Sequence, residues 1–122
     1  MFHRVTIRVA DLGAAERFYD TVLTTLGIER RGSRMRGAGA IDHLWIRVAD
    51  VAASKDFYVD VAAHAGFRLA HDAPARARFE GDPGGSFTLL AGRPTENLHM
   101  TFRGGVTGAR LDPDGNRVEI VS

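Results

Sequence analysis

A repeat constrains this chain more than any other feature. Ile7-Arg8-Val9-Ala10-Asp11 returns thirty-nine positions later as Ile46-Arg47-Val48-Ala49-Asp50, and at the same offset Phe18-Tyr19 returns as Phe57-Tyr58 and Gly27 as Gly66. A short unit that occurs twice cannot bury its apolar face alone, so the fold has to accommodate two related modules. In the first copy Val5, Ile7 and Val9 alternate with Arg4, Thr6 and Arg8, the period of a half-buried strand. Asp11 is placed to cap a helix in which Ala14, Ala15, Phe18, Tyr19, Val22, Leu23 and Leu26 recur at helical spacing, with Gly27 as its stop. The second copy sets Leu44, Ile46 and Val48 against His43, Trp45 and Arg47. Asp50 is its cap, and its helix buries Phe57, Tyr58, Val61, Ala62 and Ala65 before Gly66. A cleft between two such modules is a natural ligand site.

Between the copies, Arg30 to Gly39 is rich in Arg and Gly and reads as an exposed linker, with the joint itself at 33–40. Beyond the second helix, strands are expected at Phe67 to His71, Ala75 to Glu80, Ser86 to Ala91 and Leu98 to Arg103. Ala109 to Leu111 and Arg117 to Val121 flank Asp112-Pro113-Asp114-Gly115-Asn116, a turn sequence that returns the chain as a hairpin. The expected total is two helices and eight or nine strands. At 122 residues, with 44% hydrophobic and 25% charged content, the chain has material for one domain with a core. A formal net charge of +1 gives no electrostatic reason to expect a nucleic acid or an anionic membrane as partner. Cysteine is absent, which excludes disulfide and thiolate chemistry, and no long apolar run suggests a membrane span. A cytoplasmic location is the default expectation.

Three ionisable side chains occupy the polar faces of otherwise apolar strands. His43 is followed by Leu44 and Ile46, His99 lies between Leu98 and Met100, and Glu119 lies between Val118 and Ile120. Two imidazoles and one carboxylate can bind a divalent Mn, Fe, Co, Ni or Zn ion and leave positions open for water and substrate. Trp45, Arg47, Thr101 and Arg103 share faces with the two histidines and are the candidate lining of a substrate pocket, with Arg47 or Arg103 receiving an anionic group. No Ser-His-Asp arrangement is discernible in the sequence.

The chain resembles the vicinal oxygen chelate superfamily, which includes glyoxalase I, bleomycin and fosfomycin resistance proteins and extradiol dioxygenases. The resemblance is carried by Ile41-Asp42-His43-Leu44-Trp45-Ile46-Arg47-Val48-Ala49-Asp50, by Phe57-Tyr58, by Leu98-His99-Met100, and most specifically by Leu111-Asp112-Pro113-Asp114-Gly115-Asn116-Arg117-Val118-Glu119. It implies an α+β fold of paired βαβββ-type modules forming a curved mixed sheet. It also implies a metal site at His43, His99 and Glu119, Glu119 being catalytic as well as a ligand. The whole of 1–122 is then one domain of this kind, with 1–32 a partial N-terminal βα module and 41–122 the main module plus C-terminal strands. Two departures stand out. Only twenty residues separate His99 from Glu119, too few for the helix and strand that family members place there. At the N-terminus there is an additional βα unit, in which Arg4 takes the position of His43 and His3 is one place off.

The N-terminal unit is therefore expected to replace the missing helix and a strand, in cis or by exchange across a homodimer, with its first strand competing with Leu98 to Arg103 for equivalent positions. His3 or Arg4 would then face the site in place of His99. Uncovered sheet edges also argue for a homodimer. The functions implied are a metal-dependent enzyme acting on a small oxygen-bearing substrate, a metal-free small-molecule-binding dimer of the bleomycin-resistance kind, or a non-catalytic rearranged scaffold.

Overall fold

A computed structural model describes residues 2–25, 28–31, 34–37, 42–82 and 84–122. Within them are two helices and ten strands: β1 (Phe2–Ile7), α1 (Leu12–Thr25), β2 (Ile28–Arg31), β3 (Arg34–Gly37), β4 (His43–Val48), α2 (Val51–Ala65), β5 (Phe67–Ala73), β6 (Arg76–Gly81), β7 (Ser86–Ala91), β8 (Leu98–Arg103), β9 (Gly108–Leu111) and β10 (Arg117–Val121). They divide into two compact units, one formed by Met1–Ile7 with Asp42–Ser122 and the other by Arg8–Ile41.

The larger unit contains one complete βαβββ module. β4 leads into α2, and β5, β6 and β7 return as an antiparallel meander that places β7 parallel to β4, giving the order β4-β7-β6-β5. Asp50 caps α2 by accepting from the Ala53 N–H at 3.1 Å. Gly66 ends it in the left-handed region at φ 77°, where its N–H reaches the Ala62 carbonyl. The second half of the same unit has three strands of its own. β8 and β10 run parallel, β9 pairs antiparallel with β10, and β1 pairs antiparallel with the other edge of β8, giving the order β1-β8-β10-β9.

β1 therefore joins this sheet in cis as a neighbour of β8. The two strands do not compete for one position, because β8 offers one edge to β10 and the other to β1. Strand alternation decides what these sheets bury. Ile46, Val48, Phe79, Phe87 and Leu89 face inward from the first sheet, and Met100, Phe102, Val118 and Ile120 from the second. Phe87 stacks on Phe79 with centroids 4.7 Å apart and meets Phe67 edge-on at 5.2 Å, Tyr58 at 5.5 Å and Phe102 at 5.8 Å. This aromatic cluster is where the two sheets and α2 share a core. Gly104, directly after β8, fixes a close approach: a Cβ there would lie 2.1 Å from the carbonyl oxygen of His64 in the last turn of α2.

The smaller unit holds α1 and a hairpin. Asp11 caps α1 by accepting from the Ala14 N–H at 3.0 Å. Gly27, the expected stop, lies outside the described residues. Arg34–Gly37, expected within the linker, is a strand that pairs antiparallel with β2 from Ile28↔Gly37 to Arg31↔Arg34. Backbone pairing here overrides the composition that suggested a linker, although glycine is depleted in strands.

Candidate functional site

The sequence candidates fall into two groups. The first lies on the polar face of the β1-β8-β10-β9 sheet. His99 and Thr101 alternate with the buried Leu98, Met100 and Phe102, and the parallel register sets Arg117 opposite His99 and Glu119 opposite Thr101. His99 Nε2 lies 3.3 Å from Glu119 Oε2, without the alignment of a hydrogen bond, and this nitrogen is buried with no hydrogen-bond partner. Thr101 is 1% exposed, and its Oγ1 is likewise buried and unpartnered. Arg103 stands exposed at the end of the same row.

The remaining oxygen of Glu119 is occupied. Arg117 donates to Glu119 Oε1 from Nε at 2.8 Å and from the guanidinium terminus at 2.6 Å. These bonds hold the Glu119 carboxyl below its ordinary value. Desolvation opposes them, and nearby His99 adds a smaller lowering. Glu119 is thus kept as a carboxylate that turns Oε2 toward His99. A lowered pKa suits a ligand or a fixed charge better than a general base. Arg4 pairs with Thr101 across β1, so it shares this face with His99 and does not displace it. The side chain of His3 lies outside the described ones.

The second group is on β4. His43 pairs with Ser86 in the β4–β7 register, and its Nδ1 makes a short contact with Ser86 Oγ. Its Nε2 lies 3.1 Å from Asp42 Oδ2. The structure thus contains a Ser-His-Asp contact that the sequence concealed, because Ser86 reaches His43 only through strand pairing forty-three residues away. It lacks the setting of a nucleophilic triad: Ser86 is 3% exposed while the Asp42 side chain is 83% exposed. Trp45 is 57% exposed, with the guanidinium of Arg76 over its ring, and Arg47 is exposed two residues on.

The structure brings His99 and Glu119 together, while His43 is engaged by Ser86 and Asp42. Among the described residues, no group of three His, Cys, Asp or Glu side chains is placed to hold one metal ion. His99 Nε2 and Glu119 Oε2 are the two neighbouring donor atoms that this face could offer a cation, of the nitrogen and oxygen types that divalent metals take.

What sequence reasoning missed is the network that holds this face in place. Asp112 Oδ1 accepts from the N–H groups of Asp114 at 3.0 Å and Asn116 at 2.8 Å, and Asp112 Oδ2 accepts from Tyr58 Oη at 2.6 Å. Asn116 in turn accepts from the Leu98 N–H at 2.9 Å and donates to the Thr95 carbonyl at 2.7 Å. Thr95 donates its N–H to the Arg47 carbonyl at 2.8 Å and accepts from the Arg47 N–H at 3.0 Å. The turn before β10, the start of β8 and helix α2 are therefore tied by buried polar groups, and Thr95 extends the network to the end of β4 at the surface. The turn sequence was visible, but its long-range partners were not.

No protein-family model matches the chain, and no curated protein sequence matches it. Solved structures do. A possible glyoxalase from Bacillus cereus superposes with a TM-score of 0.54 at 20% identity, over 70% of this chain and 100% of that one. The oxidase ChaP-H2 superposes with a TM-score of 0.51 at 17% identity, over 68% of this chain and 92% of that one. The fold of this chain is therefore the α+β fold of these two structures. Fold likeness of this degree transfers architecture and leaves the chemistry to the site. Within this fold, β4 to β7 with α2 are one full βαβββ module, and β8 to β10 contribute three further strands. Among the described residues, no helix is long and apolar enough to cross a membrane.

Proposed function

We propose that this chain is a glyoxalase-like protein that binds a small oxygen-bearing molecule at the polar face of the second sheet, with a divalent metal held by His99 Nε2 and Glu119 Oε2. The observation that carries this reading is the pair itself: a buried imidazole nitrogen without a well-aligned hydrogen bond, 3.3 Å from a carboxylate oxygen whose twin is fixed by Arg117. A Mn, Fe, Co, Ni or Zn ion there supplies Lewis acidity toward a bound oxygen. Arg117 keeps Glu119 ionised and aimed, and Thr101 lies buried beside the pair, opposite Glu119 in the register. His43 is the third ligand implied by the family resemblance, and it would have to release Asp42 to act as one.

Elemental analysis and calorimetry of tag-free protein offered each metal test this. Near-stoichiometric binding lost in His99→Ala and Glu119→Gln supports the pair, and loss in His43→Ala as well extends it to three ligands. Absence of binding by the parent protein to any of the five metals overturns the metal reading.

One observation favours a metal-free alternative. Arg117 already places a positive charge on Glu119, so the pair can serve as a preformed polar anchor of the bleomycin-resistance kind. Small-molecule affinity that survives chelation would select it. We further propose a homodimer, because Leu12, Phe18 and Val22 expose an apolar row on α1, at 57%, 62% and 39%. Light scattering that shows only monomer at high concentration would exclude it.

A further inference from the structure

The outward face of the β4-β7-β6-β5 sheet carries more guanidinium than its own carboxylates absorb. The register aligns Trp45, Thr88 and Arg78 in one row and Arg47, Leu90 and Arg76 in the next, with His43, Ser86, Glu80 and Arg68 in a third. Glu80 is the carboxylate in these rows, and it takes both Arg68, at 3.3 Å, and Arg78. Arg47 and Arg76 have no acidic partner among the described residues. Arg76 is held over the Trp45 ring, its guanidinium carbon 5.3 Å from the centroid. The Nε atoms of Arg76 and Arg78 are both buried and without a hydrogen-bond partner.

Those two N–H groups belong to charged side chains, for which a missing acceptor is most costly. Arg76 lies against an indole that remains 57% exposed, and Arg78 stands one strand beyond Thr88 in the indole's own row. A guanidinium fork matches the planar geometry of a carboxylate, and an exposed indole offers a flat surface for an aromatic ring. We propose that this face binds a planar aromatic carboxylate, with its ring against the exposed part of Trp45 and its carboxylate on the partly exposed guanidinium ends of Arg76 and Arg78. Arg47 adds positive charge at the rim. The site shares no residue with the His99–Glu119 pair and does not depend on a metal there.

Trp45 is the chain's single tryptophan, so its emission reports on this face alone. The experiment is a titration with benzoate, excited at the red edge of indole absorption, beside acetate, inorganic phosphate and benzyl alcohol. A saturable change with benzoate that exceeds all three comparisons is expected. Arg76→Gln and Arg78→Gln should each weaken it about tenfold or more, as loss of a charged hydrogen bond requires. If either variant fails to fold by circular dichroism, Arg76→Lys and Arg78→Lys keep the charge and remove the fork, and should still weaken benzoate binding. Calorimetry on Trp45→Ala should show weakened benzoate binding with acetate unaffected. Acetate or phosphate binding as tightly as benzoate overturns the aromatic part of the proposal, and benzyl alcohol doing so overturns the anionic part. Unchanged affinity in the folded arginine variants overturns the site. Benzoate binding should be unchanged in His99→Ala, so failure of the metal reading and failure of this one are separable.

Discussion

Helices α1 and α2 begin alike. Asp11 and Asp50 cap them at 3.0 and 3.1 Å. Phe18 and Tyr19 make an edge-to-face pair with centroids 5.1 Å apart, and Phe57 and Tyr58 repeat it at 5.0 Å. Their surroundings then differ. Tyr58 is fully buried and donates to Asp112, with Val51, Val61, Ala62 and Ala65 buried along the same helix. On α1, Leu12, Phe18 and Val22 remain exposed and Tyr19 is half-buried. Local sequence specifies the cap and the aromatic pair in both copies. Burial requires a facing layer, which in the larger unit is supplied by residues up to fifty-four positions away.

The comparison breaks most readily at the tyrosines. Tyr58→Ala removes a large, fully buried ring and leaves Asp112 without a donor, and should cost about 3–5 kcal/mol in urea denaturation. Tyr19→Ala at the equivalent position should cost about 1 kcal/mol. Equal losses would mean that the two copies are equally packed in solution, as an exchanged dimer would make them. Repeating both measurements across protein concentration separates the two cases, because only association makes stability depend on concentration.

Alkaline pH sharpens the same contrast. Burial first, and then the Asp112 carboxylate, pushes the Tyr58 phenol well above its ordinary value of 10.0. A group whose pKa is raised by folding contributes stability that is complete below its unfolded value and is lost as pH rises toward the folded one. Above pH 10 the unfolded chain ionises this phenol and the folded chain does not, so stability should fall by about 1.4 kcal/mol per pH unit. Tyr58→Phe should lack this limb, and Tyr19→Phe should keep it. Denaturation midpoints between about pH 9 and pH 11 decide the point. An alkaline limb that persists in Tyr58→Phe would place its origin elsewhere.

How far the sequence could be read follows from the same distinction. Period-two alternation located β4, β8 and β10, and the caps located both helices, because these signals lie within a few residues of what they specify. The pairing of His99 with Glu119 was legible from strand faces and family resemblance. Three features were not. The contact between Ser86 and His43 depends on a parallel register that no local pattern encodes. Arg76 on β6 looks like an ordinary surface arginine until the sheet order, with β7 between β4 and β6, brings its guanidinium over Trp45. The hairpin of β2 and β3 was hidden by composition, since arginine-rich segments can pair through their backbones whatever their side chains suggest.

The smallest expected effect concerns the caps, where the copies look most alike. Asp50→Ala removes an acceptor for the Ala53 N–H and should destabilise the larger unit by about 1 kcal/mol. Asp11→Ala removes the same kind of bond from Ala14, yet Leu12, Phe18 and Val22 stand exposed on α1, so its first turn should contribute little to global stability. The second variant should therefore lower far-UV helicity and leave the denaturation midpoint nearly unchanged, while the first shifts the midpoint with little loss of helicity before the transition. Midpoint shifts of similar size in the two variants would show that α1 unfolds together with α2, and that its exposed row of Leu12, Phe18 and Val22 is covered in solution.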